Sequence, residues 1–241
     1  MVDWHDQRGI ATEPNIDRFI CSLGGERVDK RLNKPNFENA DYIFDEHRIL
    51  IELKIIETEF GNMAPFARKE LALQKSLARK FGIGPILRME RAPDEFYARG
   101  MLEIYRGPLS RIAKKANRQI RQTKKALNVD QYKGILLCVN DEFRKLNVST
   151  VVGLFGRILH GANSQIDAFV YLTNHYVHIP GNNYANLLWV PYYADENDDD
   201  LQTFVNWLGK EWFDFGESEI GPSANRIEGP DIDIMGARPI R

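Results

Sequence analysis

Cysteine is nearly missing from the 241-residue chain: Cys21 and Cys138 are too few for a disulfide framework or a cysteine-based zinc site. Both stand in apolar sequence on separate elements, where cysteine commonly serves as a small core residue, so both are expected as buried free thiols. No apolar run approaches the roughly 20 residues that cross a bilayer. The opening stretch MVDWHDQRGIATEP has neither a basic n-region nor an apolar h-region, so no signal peptide is read and a cytoplasmic protein is the expectation. Repeats, low-complexity tracts, a Walker A loop, a Gly-rich dinucleotide loop and a G-x-S-x-G elbow are all lacking. Positive charge is not in excess either. With 32 Lys and Arg against 34 Asp and Glu, the net charge is −2, so any nucleic-acid partner must be met by a local basic patch. What remains is a globular composition, 43% hydrophobic and 11% aromatic, able to bury one substantial core.

The pattern along the chain alternates between helical and extended signals. A first helix is expected from about Glu13 to Leu23, with Thr12 as N-cap, Gly24-Gly25 as the stop, and Ile16, Phe19, Ile20 and Leu23 on one face. Two β-rich runs, Ala40–Phe44 and Ile49–Ile56, flank the polar turn Asp45-Glu46-His47-Arg48 and read as a hairpin. A helical region from Pro65 to Phe81 follows, then a less regular connection through Gly107-Pro108, then a long helix from Leu109 to Leu127. Gly134–Asn140 reads as a fully buried strand, Val151–Leu159 as helix, Asp167–Ile179 and Leu187–Tyr193 as strands, and Leu201–Phe213 as a closing helix. Residues 1–215 then form one domain, and Gly216–Arg241, rich in Gly and Pro, forms an irregular tail. Helices before and after a sheet whose strands are apolar on both faces predict an α/β fold, a three-layer sandwich about a central mixed sheet.

The hairpin concentrates unusual chemistry. With the turn centred on Glu46-His47, Asp45 faces Arg48, Phe44 faces Ile49, and Asp41 faces Glu52. Directly opposed residues in an antiparallel pair have Cβ atoms about 4.5–5.5 Å apart, and Lys54, two residues beyond Glu52, points to the same face. The run ILIELKII embeds its two charges among aliphatic residues, and charges placed there need a local reason. Two apposed carboxylates repel, and a divalent cation resolves the conflict. Mg²⁺ binds through one or two carboxylates and keeps sites for water and a phosphate oxygen. The carbonyl of Leu53 offers a further ligand, and Lys54 would orient the attacking water or hold charge on the phosphate. The plainer alternative is a surface hairpin with a Glu–Lys pair and an unrelated Asp.

Ala40-Asp41, ten intervening residues, then Glu52-Leu53-Lys54 resembles the PD-(D/E)XK nuclease superfamily, with Ala40 in place of the proline. The order helix, hairpin, helix, buried strand is similar to that restriction endonuclease-like core over Glu13–Ile56 and Leu109–Asn140, which makes 57–108 an insertion. The resemblance implies a Mg²⁺-dependent enzyme (Mn²⁺ a substitute) that hydrolyses phosphodiester bonds in DNA, as an endonuclease. It also implies a further acidic ligand from the first helix, for which Glu13 lies nearer the apolar stripe than Asp17. A helix-N-terminal charge would explain Glu13 equally well. The Gln119 amide, within the buried stripe of Ile112, Ala116, Ile120, Thr123 and Leu127, resembles the Gln or Lys that such helices offer to the catalytic edge; a core-edge Gln bonded to backbone is the alternative.

On the opposite side of that helix lie Arg111, Lys114, Arg118, Arg121 and Lys125, with no acidic residue between Glu103 and Asp130. An all-positive face in a slightly acidic protein suits a phosphate backbone. The residues do not separate DNA from RNA, and cutting both strands of a duplex would call for a homodimer. A rival expectation is a nuclease-like module that has lost catalysis and only binds. His175 and His178 would point to opposite faces of a strand, and the run DENDDD lacks the glycine and terminal Glu of a calcium loop, so neither is read as a metal site.

Overall fold

The computed structural model describes residues 7–32, 35–223, 225–227, 229 and 234–240. In chain order its elements are α1 (Glu13–Ser22), β1 (Glu26–Arg27), α2 (Val28–Arg31), β2 (Tyr42–Phe44), β3 (Ile49–Ile56), α3 (Ala64–Phe81), α4 (Ile83–Leu87), α5 (Arg91–Leu127), β4 (Lys133–Asn140), α6 (Val148–Ala162), β5 (Ala168–Thr173), β6 (Val177–His178), β7 (Ala185–Asn186), β8 (Trp189–Tyr193), α7 (Asp199–Ile220) and β9 (Arg238–Pro239).

Six strands form one mixed sheet in the order β1-β2-β3-β4-β5-β8. The three central strands, β3, β4 and β5, run parallel, and the strands outside them pair antiparallel. Parallel neighbours need a long crossover, and α3 to α5 supply it between β3 and β4. Alternation along β3 assigns the faces. Ile49, Ile51 and Leu53 pack with Ile16, Phe19 and Ile20 of α1 and with Phe204, Leu208 and Trp212 of α7. Leu50 and Ile56 pack with Ala113, Ala116 and Ile120 of α5 and with Val151 and Phe155 of α6. Helices on both faces of a central mixed sheet make a three-layer α/β fold. Among the described residues no helix is long and apolar enough to cross a membrane.

Helix α5 lies close against the sheet at Gly134. A Cβ there would stand 2.0 Å from the Gln165 carbonyl oxygen and 2.9 Å from the Ile120 side chain, so only glycine fits. This contact sets α5 close against β4, the neighbour of the strand that carries Glu52.

Several boundaries differ from the sequence reading. Gly107-Pro108 is not an irregular connection; it lies inside α5, which runs unbroken for 37 residues. Proline clashes with the Cβ of the residue before it, and Gly107 has none. Met101, Tyr105, Leu109 and Ala113 bury the helix on both sides of Pro108, so packing overrides the local penalty. The strand expected over Asp167–Ile179 breaks after Thr173, whose side-chain hydroxyl accepts the Leu188 N–H. Residues 177–178 then enter a separate three-stranded sheet, β7-β6-β9. The run Leu187–Tyr193 is extended only from Trp189 onward, and Ala40–Phe44 only from Tyr42. Helix α6 starts at Val148 because Asn147 caps it, accepting the Thr150 N–H at 2.9 Å. Helix α7 starts at the capping Asp198 and runs to Ile220, into the stretch expected as tail. That tail also contributes β9, with Ala237 fully buried; its residues 224, 228, 230–233 and 241 lie outside the described set. Cys138 is buried, and burial pushes its thiol up to about 12, whereas Cys21 is exposed because α1 turns it away from the sheet.

Candidate active site

The hairpin register is the expected one: Phe44 pairs with Ile49, Ile43 with Leu50 and Tyr42 with Ile51. The ladder ends there: the Asp41 N–H donates at 3.1 Å to the carbonyl of Ile51, the residue already paired with Tyr42, so Asp41 is offset by one from the position opposite Glu52. Asp41 Oδ2 accepts the Leu53 N–H at 2.8 Å, so the carboxylate crosses from β2 to the neighbouring strand. In a strand the N–H and C=O of one residue point to the same side, so the Leu53 carbonyl faces the same edge, past the last ladder pair.

Glu52 and Lys54 project from β3 towards α5. Glu52 has no solvent exposure. Lys54 Nζ donates to Glu52 Oε1, while Oε2 is buried without a hydrogen-bond partner. Lys54 itself reaches the surface, with 21% of its side chain exposed. Burial, and after it the charge of Asp41, pushes the Glu52 carboxyl up to about 8; Lys54 and Lys115 pull the other way. Asp41 is also raised, mainly by burial, against the Leu53 N–H and the charges of Lys54 and Arg27. Burial that raises both acids favours their neutral forms, and a cation between them would favour ionisation. Asp41, the orphaned Glu52 oxygen and the Leu53 carbonyl are hard oxygen donors of the kind a divalent ion accepts, so the residues fit Mg²⁺. Among the described residues no group of three or more His, Cys, Asp or Glu is gathered to hold a metal. The fit therefore rests on two carboxylates and a backbone carbonyl.

Helix α5 pins the segment leading into Asp41. Gln119, 6% exposed, donates from Nε2 to the Asn39 carbonyl at 2.9 Å, and Thr123 Oγ1 accepts the Ala40 N–H at 2.7 Å. Gln119 is thus bonded to backbone, the simpler of its two readings. Its own Oε1 stays buried without a partner. Glu13 sits at the exposed start of α1, 3.8 Å from Arg27, which also pairs with Asp17 and Asp29. Glu13 is near enough for its charge to raise Asp41, but it belongs to the other helical layer and does not join the pair.

The side chains of Arg111, Lys114, Arg118, Arg121 and Lys125 are all exposed, as the helical wheel requires. Arg118 is not free, because it shares Glu38 with Lys115, whose Nζ lies 2.9 Å from Glu38 Oε1. Lys115 is a residue the sequence reading passed over, and its charge acts on Glu52. The signal was there: Lys115 stands four residues before Gln119, hence one turn away on the same flank. Glu38 lies in irregular chain with no periodicity and could not have been found that way. His175, outside the strands, is fully buried and His178 on β6 is exposed, and Asp198 of the acidic run serves as the α7 cap. No family model matches the chain, and no curated protein or solved structure matches it.

Proposed function

We propose that the protein is a Mg²⁺-dependent nuclease with a restriction endonuclease-like core of the PD-(D/E)XK type, cutting phosphodiester bonds in DNA as an endonuclease. The observation that carries this reading is Glu52: a fully buried carboxylate with an orphaned oxygen, beside Asp41 and Lys54, under a basic helix. Asp41, Glu52 and the Leu53 carbonyl would hold the ion, with Mn²⁺ as a substitute. Bound there, it would polarise the scissile phosphate and ease deprotonation of a water. Lys54 holds a compact positive charge at the mouth of the site, where it orients the nucleophile and offsets charge on the phosphate. Gln119 and Thr123 hold the backbone of Asn39 and Ala40, which leads into Asp41. Glu13, in the other helical layer, acts on Asp41 only through its charge.

The test uses linear, circular, single-stranded and branched DNA, with and without Mg²⁺ or Mn²⁺, and an RNA arm. Metal-dependent nicking of circular DNA is expected. Binding without cleavage of any substrate would instead make the chain a nuclease-like binding module.

If the α5 face tracks phosphates, it contributes affinity without sequence preference. Arg121 and Lys125 are exposed and stand apart from the Glu38 cluster. Changing both to Gln is expected to flatten the log–log salt dependence of duplex binding by up to roughly 1.8, about 0.9 per phosphate contact. Fluorescence anisotropy over a salt series reads the slope, and an unchanged slope would reduce the stripe to a solvated face.

A further inference from the structure

The charge of the chain is segregated. Residues 64–127, which span α3 to α5, hold 16 Lys and Arg against 5 Asp and Glu, a net +11; the remaining residues hold 16 against 29, a net −13. The near-neutral total conceals a basic arm on an acidic body. The arm is a helical hairpin in which α3 packs along the first half of α5, through pairs such as Phe66 with Tyr105 (ring centroids 5.7 Å apart) and Phe81 with Phe96 (5.7 Å). Its tip is apolar and uncovered: Ile83 is 69% exposed, Leu87 76% and Met89 79%.

We propose that this arm is a second contact to duplex DNA, with Ile83, Leu87 and Met89 as a wedge that enters the minor groove about one helical turn from the reactive centre. The proposal rests on the nuclease reading of the site beneath α5. Three observations favour a duplex. First, α5 is one continuous helix from the tip to the site. From Arg91 to Lys115 it rises about 36 Å at 1.5 Å per residue, close to the roughly 34–36 Å of one turn of B-DNA. Second, the cations extend along the whole arm, and Lys75 and Arg79 on α3 are exposed, with no ion partner among the described residues. Third, the cations at the tip itself are neutralised, Arg88 by Glu90 at 2.7 Å and Arg91 by Glu95 at 2.6 Å. A lipid-inserting tip would keep free cations at that depth to meet anionic headgroups. Apolar Ile, Leu and Met side chains between basic flanks are what minor-groove proteins insert between base steps to kink the duplex.

The experiment uses the full chain carrying Glu52→Gln, so that cutting does not enter, and a 30-base-pair duplex with a fluorophore at each end. Binding is expected to raise energy transfer as the duplex bends. The triple variant Ile83→Ser/Leu87→Ser/Met89→Ser should still bind with the same salt slope but lose the bend. Lys75→Gln/Arg79→Gln should keep the bend and flatten the slope by up to roughly 1.8. Duplexes shorter than about 10 base pairs, one turn, should lose both effects. Unbent DNA with the unmodified tip would overturn the proposal. So would tip variants that leave the bend intact, or that instead lose sedimentation with anionic phosphatidylserine vesicles or dissociate a dimer in ultracentrifugation. Cleavage is scored separately in chains that retain Glu52: no cutting with bending preserved would sink the nuclease reading and leave the arm standing.

Discussion

Glu52→Gln is expected to reduce Mg²⁺-dependent cleavage by more than roughly 10³-fold, beyond the cost typical of losing one group that stabilises transition-state charge, and to stabilise the protein in EDTA. The two effects share one cause. The Glu52 carboxyl is held up to about 8 by burial and by Asp41, against an ordinary value near 4.3. A carboxyl raised on folding leaves stability intact below its unfolded pKa and removes it as pH rises through the folded value. In EDTA the parent should therefore lose stability between about pH 5 and 9. At about 1.36 kcal/mol per pKa unit, a rise from about 4.3 to about 8 corresponds to a loss on the order of 5 kcal/mol. For a chain of this size that corresponds to a fall in melting temperature of roughly 10–20 °C. Gln cannot ionise, so the variant should show a flatter profile, with Asp41 supplying what slope remains. Differential scanning fluorimetry across that pH range decides it: a parent whose melting temperature rises towards pH 9 in EDTA would mean that Glu52 is not a buried, cation-seeking acid.

Lys54→Ala is expected to lower turnover by roughly 10²–10³-fold, the range for removing one preorganised charge-stabilising group, while calorimetry still detects Mn²⁺ binding. Lysine is no metal ligand, and its removal takes a competing cation from Glu52 Oε1, so metal affinity should hold or increase. Lys54→Arg should be nearly as poor, since a planar guanidinium does not replace a compact ammonium beside a water. Near-parental turnover of Lys54→Ala in excess Mg²⁺ would remove Lys54 from the chemistry.

How far the site was legible depended on how local its determinants are. The one-residue offset at Asp41 was not foreseen, but its nearness to Glu52 followed from a four-residue turn and the twofold period of a strand, both readable from neighbours in sequence. So was the oddity of Gln119 within an apolar stripe. What Gln119 touches was not legible, because Asn39 is eighty residues away. The extension of α5 through Gly107-Pro108 escaped for a related reason: the local proline signal argued for a break, and only the partners of Met101 and Tyr105 on α3 and in the core hold the helix together. Charge segregation was fully present in the sequence, yet the near-zero total concealed it until the helical hairpin gave the basic half a shape.

The hairpin that brings Asp41 beside Glu52 is local, but the ladder that buries Glu52 is not. Glu52 pairs with Leu136 of β4, and that pairing has to wait until the entire α3–α5 crossover has been placed. Contacts of such long separation form slowly, since loop closure precedes any gain from the pairing. The two acids therefore meet early in folding, in water, where their repulsion is weak, and lose that water only when β4 docks. The electrostatic penalty of burying the two acids is thus met at the slow step, where β4 docks, so it slows assembly as well as weakening the assembled chain.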